Sequence, residues 1–449
     1  MEIKLKKGLK LNLEGAVTDI TAIRDVRPTR CAIVPDDYPG LTPKADVKVG
    51  DSVKIGTPLL HDKKNPEINL VSPVSGHVVE IRRGERRKLL AIVVENDGSA
   101  DSENFSIPSD AEGVRAVLAR SGLLAMMRRR PYDIIPSFDD QVRDIFITAF
   151  DSAPLAAPMT AGIEGAALKA ILEKAVSALA LITTGKIYIG RHLGMALPTI
   201  KGAEMIDFNG PHPAGCAGIQ AAAIAPVNKG EVIWTLDLTT LFRIGRLFTD
   251  GCFDPSAIVA VTGPEIKNPS IVRTSIGAPV TEIINGMLAE EKHHRRIISG
   301  NVLTGQAVGT GADGDCWLHY PYRQVTVIAE GDDVDEFMGW ASLAPGKMST
   351  SRTFPGYFLH RAFRPDARIN GGRRAMIMSG QYDDMIPMDI MPEYLIKAIM
   401  ARDIDAMEKL GIYEVAPEDF AAAEYADTSK LPLQQIVRDG LEYLRKELE

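Results

Sequence analysis

Turn-forming residues at regular intervals between residues 48 and 81 constrain the fold of this chain more than any other feature. Gly50 and Gly56 stand where short strands would reverse, and Pro73 and Gly76 would form a second turn. Glycine reaches backbone angles that are closed to other residues, and proline presets one torsion. The apolar residues around these turns would supply the apolar faces of a small, flattened β-sandwich: Val49, Val53, Leu59, Leu60, Val74, Val78 and Ile81. We therefore predict an all-β module over residues 30–98.

This spacing is close to that of biotinyl and lipoyl carrier domains, which have a barrel-sandwich hybrid fold and attach their cofactor to a lysine at a hairpin tip. Lys63 and Lys64 are the candidate lysines, but eight and seven residues separate them from Ser72. That separation is longer than the symmetric carrier pattern allows, and Pro66 would distort a tight hairpin. We predict the scaffold without the modification, and a lipoyl or biotin carrier module remains an alternative.

The overall composition limits the class of protein. At 449 residues the chain should hold several domains, and 45% hydrophobic with 24% charged residues is typical of a globular protein. A net charge of −8 argues against sequence-independent nucleic-acid binding, which needs a basic surface. We expect no transmembrane segment and no secretory signal, because no run approaches the roughly 20 apolar residues that span a bilayer. The four scattered cysteines, which form no CxxC pair, argue against a zinc or iron–sulfur site.

Beyond a polar linker at Asn96–Glu103, strands and helices alternate. The apolar run at residues 145–150 predicts a buried parallel strand, and apolar residues recur at helical spacing from residue 167 to residue 179. A second strand would begin at Lys186. This strand, helix and strand form a βαβ unit, so we predict a Rossmann-like α/β domain over residues 104–255.

The loop between the first of these strands and the helix is where such a sheet would bind a dinucleotide. A phosphate-binding turn needs closely spaced glycines, so that backbone N–H groups can approach a pyrophosphate. Here Pro154 and Pro158 remove donors, and only Gly162 and Gly165 remain. We therefore predict the scaffold without a nucleotide site.

The remainder of the chain divides into two further predicted domains. Residues 257–263 and 270–276 would form a hairpin, residues 278–288 a helix that begins beside Pro279, and residues 296–302 and 325–330 further strands. This order indicates a β-grasp (SLBB-like) module over residues 256–331. Residues 332–449 would form an irregular segment and a helical domain, with helices over 393–410 and 433–448. The predicted fold class is thus multidomain α+β, with the N-terminal strands and the barrel-sandwich hybrid occupying residues 1–103.

One isolated histidine is a candidate for acid–base chemistry. His212 lies in the segment GPHPAG, between Pro211 and Pro213. The two prolines favour a rigid turn, and no carboxylate is adjacent in sequence. We therefore predict a structural role for this histidine.

Several long stretches, in one order along essentially the whole chain, resemble the A subunits of the bacterial sodium-translocating NADH:quinone oxidoreductases (the NqrA family). They are KKGLKL (6–11), DKKNP (62–66), SPVSGHVVEIRRG (72–84), TAFDSAPLAA (148–157), GPHPAG (210–215), VTGPEIKNPSIVRTSIGA (261–278), RRIISGNVLTG (295–305) and MDIMPEYLIKAI (388–399). The domain order is more distantly similar to the RnfC protein of a related electron-transfer complex and to the flavin-bearing subunit of complex I. Those relatives keep cluster cysteines or a glycine-rich flavin loop, and this chain has neither.

The resemblance implies a peripheral subunit on the cytoplasmic side of the bacterial inner membrane. Partner subunits would carry the flavins and the iron–sulfur centre that pass electrons from NADH to a quinone, either ubiquinone or menaquinone, while sodium is exported. The chain would contact the B and C subunits of the complex, docking chiefly on B, which lies in the membrane. It would hold no redox cofactor, no catalytic residue and no metal of its own. A flavin- or NADH-binding dehydrogenase subunit, like those of the RnfC-containing complex or complex I, remains an alternative.

The resemblance also implies a location for the quinone. Two segments match stretches near the quinone in this family: Val34–Leu41 and Arg128–Pro136. Aromatic or apolar walls and a few donors for the carbonyl oxygens are what a quinone needs. The candidate quinone-binding residues in these segments are Tyr38, Pro39, Gly40, Arg129, Arg130, Pro131 and Tyr132. The alternative is that both segments are ordinary surface loops.

Overall fold

The computed structural model of this chain describes residues 1–163, 165–290, 293–309, 316–333, 348–350, 352, 355–359 and 361–449. Within these residues the chain folds into several regions that together contain helices and four β-sheets. The coarse class predicted from the sequence is therefore confirmed. Part of the irregular segment predicted after residue 331 lies outside the described residues.

The chain begins with two short strands that complete sheets formed by later residues. They are β1 (Glu2–Lys4) and β2 (Ile23–Asp25). β1 pairs in parallel with a strand near residue 207, and β2 pairs in parallel with a strand near residue 272. The prediction grouped both strands with the N-terminal module, whereas their pairing links the N-terminus to two other parts of the molecule.

The N-terminal module is all-β and consists of a four-stranded and a three-stranded sheet. Its strands are β3 (Arg30–Ile33), β4 (Pro43–Ala45), β5 (Ser52–Val53), β6 (Pro58–Asp62), β7 (Asn69–Val71), β8 (Gly76–Arg83) and β9 (Leu89–Asn96). Leu59, Leu60 and Val78 are fully buried, as predicted, but Val49 is exposed. Gly76 is required because a Cβ there would lie 1.9 Å from the carbonyl oxygen of Glu95.

The second region is a mostly parallel six-stranded sheet with helices on both faces, in the order β1-β13-β12-β11-β14-β10. Its elements are α1 (Ala111–Arg120), β10 (Arg128–Arg130), β11 (Val142–Thr148), α2 (Gly165–Leu179), β12 (Ile187–His192), β13 (Glu204–Asn209), α3 (Ala217–Ile224), β14 (Val232–Asp237) and α4 (Leu238–Asp250). The strand predicted at 145–150 and the helix predicted from 167 are both confirmed, because a two-sided buried strand and an amphipathic helix are local sequence signals.

Alternate residues of the central strand β11 pack against the two helical layers, one on each face of the sheet. Ile145 and Ile147 belong to the core that contains α2 and α4, whereas Phe146 packs in the cluster formed with α3. Helices α2 and α4 approach closely at Gly245, where a Cβ would lie 2.2 Å from the carbonyl oxygen of Ile171. Asp237 begins α4 by accepting a hydrogen bond from the backbone N–H of Thr240.

The third region is a six-stranded sheet in the order β18-β17-β19-β15-β16-β2. Its elements are β15 (Ser256–Thr262), β16 (Ser270–Ser275), α5 (Val280–Ile283), β17 (Arg295–Ser299), β18 (Gln306–Val308) and β19 (Gln324–Ala329). The predicted hairpin of β15 and β16 is confirmed. The helix predicted over 278–288 is wrong beyond Ile283, because Gly286 turns the chain with a positive φ of 74° and Leu288 forms a bridge with Ile266.

The C-terminal region is helical and has its own apolar core. Its helices are α6 (Gln381–Met385), α7 (Pro392–Ala401), α8 (Ile404–Lys409), α9 (Ala421–Ala426) and α10 (Leu433–Leu448). The prediction for α10 is confirmed, but the single helix predicted over 393–410 is two helices. Arg402 adopts a left-handed conformation, and the Asp403 side chain then accepts from the N–H of Ala406 and starts α8.

Among the helices of the described residues, none combines the length and the apolar character that crossing a bilayer requires.

Candidate functional site

A cavity of about 180 Å³ lies where the parallel sheet, the third region and the C-terminal helical region meet. Thr148 and Asp237, at the ends of β11 and β14, are paired in the sheet and both line it. The chain adds β12 and β13 on one side of β11 and then returns to place β14 on the other side. Ligands of open α/β sheets bind at the carboxyl ends of the strands beside such a reversal of strand order. The topology therefore identifies this cavity as the candidate functional site.

The cavity walls combine apolar or aromatic surface with a few polar groups. The apolar and aromatic residues include Met126, Phe150, Met159, Tyr320 and Tyr322, and the polar ones include Thr148, Asp151, Arg128, His212, Cys216, Arg323, Gln324 and Glu418. The loop after β11, which lacks a glycine-rich turn, contributes Phe150, Asp151 and Met159 to these walls. A mixture of this kind suits a small planar molecule with one or two polar atoms.

His212 lines this cavity, and one of its ring nitrogens has a hydrogen-bond partner. The Ser152 hydroxyl accepts from the backbone N–H of Gly215 at 2.8 Å and lies 3.1 Å from Nδ1 of His212. A hydroxyl can donate one hydrogen bond and accept two, so in the neutral ring Nδ1 accepts from Ser152 or donates to it according to the tautomer. Burial lowers the pKa of His212, which favours this neutral ring. Nε2 is enclosed and has no hydrogen-bond partner among the described residues, which leaves it available to a polar atom of a ligand.

Two carboxylates hold Arg323 beside the carboxyl ends of the parallel strands. It lies 3.4 Å from Asp151 and 3.3 Å from Asp237, which follow β11 and end β14 respectively. This pair of contacts joins the third region to the carboxyl edge of the parallel sheet. Sequence analysis did not single out Arg323, because its partners are more than eighty residues away along the chain.

The predicted segment Val34–Leu41 lies behind one wall of the cavity. Tyr38 is buried, and its ring stacks on that of Tyr320 with centroids 5.3 Å apart. The carbonyl oxygen of Pro39 accepts from the N–H of Ile135 at 2.8 Å, and Gly40 packs against Ile134. The two predicted segments therefore contact each other, and neither is an exposed loop at these residues.

The predicted segment Arg128–Pro136 lies behind a second wall. Arg130 is buried and lies 3.4 Å from Asp419 and 3.5 Å from Glu418, which lines the cavity. Arg129 lies 3.2 Å from Asp140 and 2.9 Å from Glu449, and its guanidinium covers the ring of the buried Tyr132 at 5.7 Å.

None of the seven candidate residues is among those that line the cavity, although Tyr38 and Arg130 contact lining residues, and contact of the seven with quinone stays a prediction. Pro131 follows a cis peptide bond. The first residue of this second segment, Arg128, does line the cavity and covers the ring of Tyr320 at 5.7 Å. Sequence reasoning included Arg128 in the segment but did not choose it.

Cys216, Glu418 and Asp419 bring possible metal-ligand atoms within 4.8 Å of one another. Burial raises the pKa of the Cys216 thiol well above its ordinary value, which disfavours the thiolate that binds metals. The guanidinium of Arg130 already supplies positive charge to both carboxylates. The donor set therefore fits a metal ion poorly.

Stability should depend on the ionisation of Glu418. Its side chain is partly exposed and lines the cavity. Desolvation, together with the negative charge of the neighbouring Asp419, raises its pKa to about 7 from the ordinary value of 4.5. The folded chain then holds the proton more tightly than the unfolded chain, so this contribution to stability is present below pH 4.5 and is lost as the pH rises through 7.

In the wild-type chain the unfolding free energy should decrease between pH 5 and pH 8, and in Glu418→Gln this decrease should be smaller. The difference should be no more than about 1 kcal/mol, because solvent screens a partly exposed group. Urea denaturation at both pH values measures this change. Glu85→Gln, in an exposed turn, is the matched control. An unchanged pH dependence in Glu418→Gln would contradict the assignment.

Comparison with known proteins gives a consistent result along the chain. Three family models match it: the NqrA N-terminal barrel-sandwich hybrid domain over residues 3–97, the NqrA second alpha/beta domain over 109–253, and the NQRA C-terminal domain over 258–309. Three relatives are Na(+)-translocating NADH-quinone reductase A subunits. The chain is 35% identical over 458 residues to that of Neisseria meningitidis serogroup B, with 99% of this chain and 100% of that protein covered. Those of Pasteurella multocida and Vibrio vulnificus are 33% and 34% identical, with the same coverage.

Proposed function

Because this chain belongs to the family of Na(+)-translocating NADH-quinone reductase A subunits, we propose that it acts at the quinone end of such a reductase. The observation that carries this proposal is the 35% identity over 99% of this chain and 100% of the relative. Near-complete coverage of both chains supports the same domain content and the same place in a multisubunit enzyme.

The finer features of the role follow from the same premise. The chain contacts the B and C subunits, docking chiefly on B, on the cytoplasmic side of the bacterial inner membrane. Its α/β region is a Rossmann-like domain without a nucleotide site, and its third region is a β-grasp module. The loop at residues 151–165, which has only two glycines, and the four scattered cysteines support a protein without flavin or iron–sulfur cluster. Partner subunits supply the NADH site, the flavins and the iron–sulfur centre.

The cavity at the strand ends is the place we propose for the quinone ring. Its volume of about 180 Å³ suits a ring with small substituents and not a whole isoprenoid tail. Phe150, Tyr320 and Met126 offer apolar and aromatic surface for the ring. In the tautomer that carries its hydrogen on Nε2, His212 offers a donor for one quinone carbonyl oxygen.

The residues predicted from the sequence then act by holding the side chains that line this cavity in place. Tyr38 holds the ring of Tyr320 by stacking, and Arg130 holds Glu418 and Asp419. Pro39, Gly40, Arg129, Pro131 and Tyr132 keep the two segments packed together and against the helical region. In this arrangement a change at Tyr38 or Arg130 alters the cavity through Tyr320 or Glu418.

Removing this protein from the assembled enzyme tests the proposed role. We expect quinone reduction to fall by at least about tenfold, while NADH oxidation by an artificial electron acceptor continues, because the flavin that oxidises NADH lies in a partner subunit. Retention of both activities would contradict a quinone-end role. Loss of NADH oxidation by the artificial acceptor would favour the dehydrogenase alternative.

Two measurements on the isolated chain address the alternative functions. A stoichiometric flavin absorbance would support a dehydrogenase role. An intact mass above the sequence mass would support a lipoyl or biotin carrier, for which Lys63 and Lys64 are exposed between β6 and β7. We expect neither.

A further inference from the structure

A second cavity, of about 90 Å³, lies between the α/β region and the third sheet. The loop after β11, the first two turns of α4, and strands β15 and β16 form its walls. Among the described residues, the charged ones that line it are arginines: Arg243 from α4, Arg273 from β16 and Arg323 just before β19. No described acidic residue lines it. A small cavity with walls of one charge sign attracts ligands of the opposite sign.

Arg243 is the central observation, because it is buried and has no counterion among the described residues. It is 5% exposed, and no carboxylate lies within 4.0 Å of its guanidinium in the described part of the chain. Nη2 donates to the carbonyl oxygen of Ser256 at 2.7 Å, and Nε has no acceptor among the described residues. Removing a guanidinium from water without a partner costs several kcal/mol, so buried arginines are normally paired. The cavity beside Arg243 is the space in which an anion would restore that pairing.

Arg273 and Arg323 can also bind an anion, because their existing contacts with carboxylates are weak. Arg273 lies 3.4 Å from Asp25, but this pair is on the surface, with side chains 45% and 68% exposed, so solvent screens the attraction. Arg323 lies 3.4 Å from Asp151 and 3.3 Å from Asp237, distances at which charged hydrogen bonds are long. These carboxylates do not line the cavity. An anion inside it would therefore meet guanidinium groups from both regions.

The cavity has room for a small ligand. Its volume of about 90 Å³ is large enough for a small oxyanion. Thr239 adds a hydroxyl group to the wall near Arg243. We propose that this cavity binds a single oxyanion of the phosphate class, which ties the α/β region to the third sheet through Arg243, Arg273 and Arg323.

Thermal unfolding of the full-length chain in inorganic phosphate tests this proposal, with sodium chloride added to keep the ionic strength constant. We expect the unfolding temperature to rise and saturate with phosphate, because a ligand bound only by the folded state stabilises it. In Arg273→Gln the apparent dissociation constant should increase at least about tenfold, which corresponds to about 1.4 kcal/mol of binding free energy. Thr239→Val, a smaller change, should weaken binding in the same direction.

Arg83→Gln, which removes an exposed arginine from the β8–β9 hairpin, is the matched control and should leave phosphate binding unchanged. Glycerol phosphate distinguishes two sources of the anion: a response to phosphate alone assigns the site to the free ion, and a response to both assigns it to a phosphate ester. The proposal fails if phosphate gives no saturable rise beyond that of sodium chloride. It also fails if Arg273→Gln responds as the wild-type chain does.

Discussion

Replacing Ala217 with phenylalanine is expected to lower quinone reduction by the assembled enzyme by at least about tenfold, which corresponds to roughly 1.4 kcal/mol. Ala217 is the first residue of α3, is 9% exposed and lines the cavity at the strand ends. A phenyl group there would occupy much of the space proposed for the quinone ring. NADH oxidation by an artificial acceptor should be unaffected, because it does not require the quinone. Steady-state assays of both reactions, on enzyme reconstituted with the variant chain, measure the effect.

The matched control is Ala111→Phe, which makes the same change at the first residue of α1, where the side chain is exposed. Both variants place phenylalanine at the same position in a helix, so helix propensity is held constant. An unfolding temperature near that of the wild-type chain would show that Ala217→Phe still folds. Equal quinone reduction by the two variants would contradict the proposal that the quinone ring binds in this cavity.

The second large effect concerns stability. Arg130→Met is expected to lower the unfolding free energy by about 3 to 5 kcal/mol, the usual result of removing one partner of a buried ion pair. Arg130 is 1% exposed and Asp419 is fully buried, with 3.4 Å between Nη1 and Oδ2. Gly218 of α3 leaves the room for this pair, since a Cβ there would lie 2.8 Å from Nη2 of Arg130. Without Arg130, the Asp419 carboxylate would stay buried with the N–H of Ala416 as its remaining hydrogen-bond donor among the described residues. Urea denaturation followed by circular dichroism measures the loss.

Two further variants identify the cause of that loss. Arg130→Met combined with Asp419→Asn should recover most of the stability, because no uncompensated charge remains buried. Lys88→Met, which breaks an exposed pair with Asp36, should cost less than about 1 kcal/mol. If Arg130→Met behaves like Lys88→Met, the pair does not join β10 to the helical region in the way described.

Local sequence signals accounted for most of the secondary structure. The apolar run of β11 and the helical spacing of α2 predicted their elements because each pattern reflects which faces are buried. The two helix errors arose at single residues that redirect the chain. Gly286 reverses it after α5, and Arg402 ends α7 in a left-handed conformation that non-glycine residues rarely adopt.

The candidate site was only partly accessible from the sequence. Resemblance to a family pointed to two segments, and the structure brings Tyr38 and Arg130 to the outer side of the cavity walls. Residues that line the cavity lie far apart in sequence, as Thr148, Tyr320 and Glu418 do, and no local pattern links them. For His212 the sequence predicted only a structural role, because its hydrogen-bond partner Ser152 is sixty residues away and its place in the cavity wall depends on the fold.

By itself, the sequence determined the family, the all-β module and the βαβ unit, because turn residues, hydrophobic periodicity and extended similarity are all encoded along the chain. The tertiary structure alone decided the strand order that opens the cavity between β11 and β14, and the burial of Arg130 and Arg243. The physical reason is that burial and ion pairing depend on which distant segments pack together. The sequence does not show whether a guanidinium is exposed or buried. Only when the fold removes it from water does it require a partner of opposite charge.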